Sequence, residues 1–181
     1  MESLNAALYA LVFYVYGPGW HLLPLLAFVS ALVVITFIDL DHQIIPDRIT
    51  LPGVALGLVF GSLLVPDPFM REAVLGWAPS LIGAVTGFVL FYAIALLSRG
   101  GMGGGDIKFM AMAGSLLGWK GVLLTTFVGS FAGSILGLFL LAFKGKGRKT
   151  KVPFGPFLAL GCLITLFAGQ EILAWYLHVG D

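Results

Sequence analysis

The sequence predicts an all-α polytopic membrane helix bundle with about seven transmembrane helices and a cytoplasmic N-terminus. Three observations carry this expectation. First, 59% of the 181 residues are hydrophobic, 10% are charged, and the mean hydropathy is +1.02. A soluble domain carries about 25% charge and about 45–50% apolar residues. Ten basic and nine acidic side chains cannot solvate a globule of this size. This excludes a soluble enzyme, a disordered chain and a nucleic-acid binder. Second, the charges are separated by long uncharged runs. Third, the Lys and Arg residues fall on alternate connections, as the positive-inside rule requires of a spanning chain.

The elements follow from the uncharged runs in order. Residues 3–38 carry no charge, but Gly17-Pro18-Gly19 interrupts them. This predicts two helices, about 4–16 and 20–38. A third is expected over 49–66 and a fourth within 73–98. Residues 109–119 are too few to span alone, since a crossing takes roughly 20 apolar residues. At ~1.5 Å per residue they cover about half the hydrocarbon core. They are expected to form a short, protein-surrounded helix, with Lys120 reaching for the interface. A sixth helix is expected over 121–143. The last starts near 152 and continues past Glu171 to about His178. Met1-Glu2 lacks the basic start of a cleavable secretion signal. The chain 1–181 reads as a single membrane-embedded domain.

Orientation follows from charge. One set of connections holds Arg48, Arg99, Lys108, Lys144, Lys146, Arg148, Lys149 and Lys151, and the other holds Arg71 and Lys120. The richer set is cytoplasmic. Trp20, Trp77, Trp119 and Trp175 fall near the outer helix ends, in agreement with an aromatic belt. The Lys144–Lys151 run reads as a topology-setting loop facing anionic lipid.

Glycine makes up 25 of the 181 residues, roughly double the usual ~7%. Gly53, Gly57 and Gly61, then Gly83 and Gly87, then Gly129, Gly133 and Gly137 recur at every fourth position. Such spacing puts glycines on one helix face and lets backbones approach closely. Helix packing explains them without any chemistry, and the same faces would allow a homo-oligomer. One Cys and three scattered His residues leave no thiolate cluster and no zinc site. No metal and no cofactor are expected.

Four of the nine acids gather on the cytoplasmic side: Asp39, Asp41, Asp47 and Asp106. An acid at the end of a long apolar run is costly. Asp39 directly follows Val34-Ile35-Thr36-Phe37-Ile38 and is either a solvated helix end or a functional group. Asp41 and Asp47 are expected in a polar loop, where Asp47 after Pro46 can cap the next helix. Asp106 follows a glycine-rich run, Gly100-Gly101-Met102-Gly103-Gly104-Gly105, whose backbone is free to take left-handed turns. Asp39 lies near the negative C-terminal end of its helix and Asp106 at a positive N-terminal end. Two nearby carboxylates in such unlike settings can share one proton. That is what an aspartic protease requires.

The segment Ile38-Asp39-Leu40-Asp41-His42-Gln43-Ile44-Ile45-Pro46-Asp47-Arg48-Ile49-Thr50-Leu51-Pro52 resembles the first motif of type IV prepilin leader peptidases. Gly101-Met102-Gly103-Gly104-Gly105-Asp106-Ile107-Lys108 resembles their second, a Gly-x-Gly-Asp box. Pro153-Phe154-Gly155-Pro156-Phe157-Leu158-Ala159 resembles a third, near their C-terminus. The resemblance implies that Asp39 and Asp106 are a catalytic pair, without metal or cofactor. It implies cleavage of the leader of prepilins or pseudopilins after a glycine, at the cytoplasmic face of the bacterial inner membrane. Gly103, Gly105, Asp41, Pro46, Asp47 and Lys108 match motif positions and are expected to shape the site. Many members carry a further N-terminal segment with paired cysteines and a Gly-Ser-Phe-Leu-Asn-Val stretch, linked to N-methylation. This sequence shows neither, so a peptidase-only member is expected.

Two other classes compete. A Mg-dependent membrane prenyl or phosphatidyl transferase would use Asp39, Asp41 and Asp47 or Asp106 as hard oxygen ligands. A transporter or channel would need acids at mid-membrane, and the middles of these helices contain none.

Overall fold

A computed structural model describes residues 2–98, 102–144 and 153–178, with side chains up to Phe139 in the second stretch. Six helices carry the chain: α1 (Glu2–Tyr16), α2 (Leu22–His42), α3 (Asp47–Leu56), α4 (Trp77–Leu97), α5 (Gly104–Lys144) and α6 (Gly155–His178). A π-helical turn, Gly57–Gly61, extends α3. Four of these helices are long and apolar enough to cross a membrane: α2, α4, α5 and α6. Their length and composition make this a multi-pass membrane protein.

The 41-residue α5 is not one rod. Gly118 has φ 69° and ψ 176°, a conformation that breaks the helix and that glycine adopts at no steric cost. The contacts show that the chain turns back there. Before the break, Gly87 faces Met110 and Gly83 faces Gly114, and Gly118 lies against Leu75 and Pro79 at the start of α4. After it, Gly121 is near Thr165, Gly129 lies against Phe157 and Leu158, and Gly133 against Phe154 at the start of α6. We call the two arms α5a (104–117) and α5b (119–144). Counted this way, the described residues form seven helical segments. Every residue from Phe109 to Gly118 is buried. The short helix expected over 109–119 is therefore surrounded by protein, although it begins at Gly104 and turns at Gly118.

Lipid tails are as apolar as leucine, so helices in a bilayer associate by close packing and interhelical hydrogen bonds. Both occur here. A Cβ added at Gly57 would strike the Ser115 side chain, and one at Gly61, Gly83 or Gly87 would strike the backbone of α5a. The glycine faces of α3 and α4 thus both receive α5a. Gly137 differs, having nothing within 4 Å among the described residues. Ser80 Oγ donates to Ser115 O (2.6 Å), Tyr16 Oη to Leu166 O (2.7 Å), and the hydroxyls of Thr125 and Thr165 meet at 3.1 Å. Interhelical side-chain bonds of this kind average only about 0.6 kcal/mol. Close backbone approach is the larger contribution.

One element departs from the all-α expectation. Pro66–Asp67 pairs antiparallel with Met70–Val74, giving strands β1 and β2. Asp67 Oδ1 accepts from the Phe69 N–H at 2.8 Å, an Asx turn that the backbone can form locally. The third helix therefore stops short of the expected residue 66. The hairpin is fastened to α6. Arg71 donates to both oxygens of Glu171 (2.8 and 2.9 Å) and to Phe167 O (2.6 Å). This pairing explains how an acid is tolerated within α6. Trp20, Trp77, Trp119 and Trp175 are all exposed and lie at the hairpin end of the bundle. The C-terminal end of α2 and the N-terminal ends of α5a and α6 lie at the opposite end.

Candidate active site

Both aspartates of interest sit at that opposite end, and both are buried: 6% of Asp39 and 8% of Asp106 is exposed. They come from different helices and reach the site for different reasons.

Helix α2 was expected to stop at Ile38 and instead runs to His42. It ends on Gln43, the one non-glycine residue with positive φ among those described (φ 54°, ψ 39°). The Gln43 N–H donates to Asp39 O at 2.9 Å, so this left-handed cap closes the helix directly over Asp39. Because Asp39 and Asp41 remain helical, they point to different sides of α2. Asp39 turns inward and Asp41 is exposed.

The local helix end is negative, yet Asp39 is not left with that setting alone. Its Oδ2 accepts from the Gly155 N–H at 2.8 Å, the first residue of α6. A Cβ at position 155 would lie 2.7 Å from that same oxygen. Only glycine lets the α6 backbone come this near. Asp39 therefore also meets the positive end of another helix, which opposes the negative end of its own.

Asp106 is the third residue of α5a. Its Oδ2 accepts from the Gly103 N–H at 3.2 Å, and its own N–H donates to Gly103 O at 3.2 Å. This is half of a capping box: the acid reaches back to the cap residue's N–H, while Gly103 returns the bond through its carbonyl because it has no side chain. The described glycines of the run, Gly103, Gly104 and Gly105, do not use positive φ. Their contribution is proximity. A Cβ at Gly105 would lie 2.8 Å from Ile45 Cβ and 3.3 Å from Ile45 O. The α2–α3 connection thus rests on Gly105, with Ile45 buried, and brings the end of α2 beside the start of α5a. Gly100 and Gly101 lie outside the described residues.

The two carboxylates thus lie at the same end of the bundle, on the two elements that Ile45 and Gly105 bring together. Each spends Oδ2 on a backbone N–H. Neither Oδ1 has a hydrogen-bond partner among the described residues.

The remaining motif positions are peripheral. Pro46 is the cap residue of α3, and its carbonyl accepts from the Ile49 and Thr50 N–H groups (3.1 and 3.2 Å). Asp47 was expected to cap α3 with its side chain but makes no such bond. Its Oδ2 pairs instead with Lys108 Nζ at 2.5 Å, tying α3 to α5a. With side-chain exposures of 53% and 36%, this pair is worth at most about 1 kcal/mol. Lys108→Ala should therefore lower the melting temperature in detergent by only a few degrees. A collapse of the fold would show that the pair carries more than its exposure allows. Among the described residues no group of three or more His, Cys, Asp or Glu side chains could hold a metal ion. Asp41 points away, and Asp47 is taken by Lys108. The basic residues Lys146, Arg148, Lys149 and Lys151 lie outside the described residues.

Reading of the residues did not single out Gly155 as a site residue, although it lies inside the third motif. The available signal is that Pro153-Phe154-Gly155-Pro156 opens a helix without any side chain able to cap it.

The model of the type IV leader peptidase family matches residues 26–138, well over half of the chain. This protein belongs to the type IV leader peptidase family. The match takes in Asp39 and Asp106 and ends before Gly155. Curated relatives of this family member extend the similarity. A prepilin leader peptidase/N-methyltransferase of Aeromonas salmonicida (strain A449) is 37% identical over 178 residues, covering 98% of this chain and 60% of the relative. Proteins of the same name from Legionella pneumophila and Xanthomonas campestris pv. campestris are 36% and 34% identical, each covering 98% of this chain and 61% of the relative. The chain thus spans about 60% of the length of the curated relatives it matches. No solved structure matches.

Proposed function

We propose that this protein is a membrane aspartic endopeptidase that cleaves the leader of type IV prepilins or pseudopilins after a glycine. The reading is confined to the peptidase reaction, whose residues lie within the matched region. The observation that carries it is the pairing of two buried aspartates from separate helices. Each is tethered through one oxygen to a backbone N–H, and each keeps its second oxygen without a partner among the described residues.

The chemistry follows from that arrangement. One carboxylate is ionised and the other protonated. The ionised group takes a proton from a water placed between the free oxygens, and the protonated group donates a hydrogen bond to the scissile carbonyl. Water oxygen bonds to the carbonyl carbon and gives a tetrahedral intermediate. Its collapse breaks the C–N bond, and the leaving amine takes a proton from the pair. The products are a leader ending in a carboxylate and a new N-terminus. Gly103 fixes Asp106 within its helix, and Gly105 seats the connection that follows Asp39. Asp47 and Lys108 tie α3 to α5a beside the pair, Pro46 caps α3, and Asp41 faces outward from the end of α2.

The seven helical segments are read as seven crossings, with the N-terminus and the aspartates at the cytoplasmic face of the bacterial inner membrane. The support is the excess of Lys and Arg on that side and the four Trp residues at the other.

The test uses purified protein in detergent and a synthetic peptide with a basic leader, a glycine and an apolar segment. The expected result is two fragments divided after the glycine, with an unchanged rate in EDTA. An uncut peptide, or a rate abolished by EDTA and restored by Mg²⁺, would overturn the reading.

A further inference from the structure

The entrance of α6 is built in an unusual way. Helices leave their first N–H groups without intrahelical partners, and a Ser, Thr, Asp or Asn side chain at the cap position commonly accepts one of them. Here the preceding residue is Phe154, which has no side-chain acceptor. Its carbonyl accepts from the Phe157 and Leu158 N–H groups (3.1 and 3.2 Å). Pro156 has no N–H at all. Among the first three residues of α6 this leaves a single donor without a partner in its own helix, that of Gly155. Asp39 takes it, from 116 residues away in sequence.

We propose that Gly155 is a positioning residue for Asp39, and that the Pro153–Pro156 entrance of α6 is a one-donor clamp. It fixes one oxygen of that carboxylate and leaves the other for water. This inference rests on the reading of Asp39 as one of the catalytic pair.

Each residue of the clamp has a distinct physical task. The missing N–H of Pro156 matters because a second donor beside the first would invite the carboxylate to bind through both oxygens, and the oxygen needed for proton transfer would be occupied. The missing side chain of Gly155 matters because a Cβ would stand 2.7 Å from Oδ2, 3.1 Å from Cγ and 3.2 Å from Cβ of Asp39. The contact to Oδ2 is closer than real Cβ atoms come and the other two are tight, so a side chain at 155 must shift the carboxylate. Asp39 lies in the last turn of α2. Gly161, two turns further along α6, supplies the contrast. A Cβ there would meet Thr125 O at 2.6 Å, so it is equally constrained, but by the packing of α5b. The two glycines share a helix and a steric limit and differ in what they touch.

The experiment compares Gly155→Ala, Gly161→Ala and Asp39→Asn in the full chain, with kcat, KM and melting temperature measured on each purified protein. An amide-to-ester replacement at position 155 is added, because it removes the N–H without adding bulk. A misplacement of about 1 Å at a reacting group costs about 10²-fold. Gly155→Ala is therefore expected to lower kcat about 10- to 100-fold with KM changed less than about 3-fold. The ester is expected to lower kcat in the same direction. Gly161→Ala is expected to lower the melting temperature while kcat and KM of the folded protein stay within about 2-fold, as befits a packing contact remote from the reacting atoms. If Gly155→Ala and the ester both keep the wild-type kcat while Asp39→Asn is inactive, the clamp is wrong and the peptidase reading stands. If Gly161→Ala loses kcat as Gly155→Ala does, the effect is structural and the clamp is again wrong. If Asp39→Asn cleaves normally, the reading of the pair fails first.

Discussion

Asp39→Asn and Asp106→Asn are each expected to slow peptide cleavage by at least about 10⁴-fold, because each removes a group that moves a proton in the rate-determining chemistry. The substitutions are nearly isosteric, and each Asn keeps an oxygen for the backbone N–H that now holds its carboxylate. Folding should therefore survive, and the circular dichroism and melting temperature should stay close to wild type. The double variant is expected to be no slower than either single variant. Two groups sharing one proton act as a unit, and effects within a unit do not add. Losses that multiplied in the double variant would mean that the two residues work independently, which the geometry does not favour. The measurement is a set of initial rates on one peptide for the wild type and the three variants.

Gly83→Leu is expected to give the largest loss of stability, more than about 3 kcal/mol, beyond the usual cost of overpacking. The neighbours that a side chain at 83 would meet are Gly114 O and the Gly118 backbone, which cannot rotate away as a side chain can. The helices α4 and α5a would have to separate, and the buried helix that positions Asp106 would lose its seat. Gly137→Leu is the internal comparison, since that glycine has nothing within 4 Å among the described residues. It should leave the melting temperature within about 2 °C of wild type, as expected for a surface substitution. Equal losses at the two positions would contradict the packing described.

The helices and their order were legible because charge is scarce. Uncharged runs located α1, α4 and α6 to within a few residues. The end of α2 was missed by reading Asp39 as a boundary. In the fold the Asp39 carboxyl is met by the Gly155 N–H, and the helix continues to His42, where the left-handed Gln43 ends it. The turn in α5 was placed near Lys120, where the charge is, but occurs at Gly118, where the backbone can reverse. The β1–β2 hairpin was missed although Asp67-Pro68 carries turn chemistry, because a five-residue strand leaves no periodic signal in a membrane chain. Candidate site residues were legible where they sit in motifs. Their long-range partners, Gly155 for Asp39, Ile45 for Gly105 and Lys108 for Asp47, were not, because spacing along a chain does not say which ends of which helices meet.

The decisive measurement is the mass spectrum of a prepilin-like peptide after incubation with wild type, Asp39→Asn and Asp106→Asn, all in EDTA. Wild type should give two fragments divided after the glycine, and both variants should leave the peptide intact. Cleavage by either variant at the wild-type rate, or loss of cleavage by the wild type in EDTA, would contradict the aspartic peptidase reading.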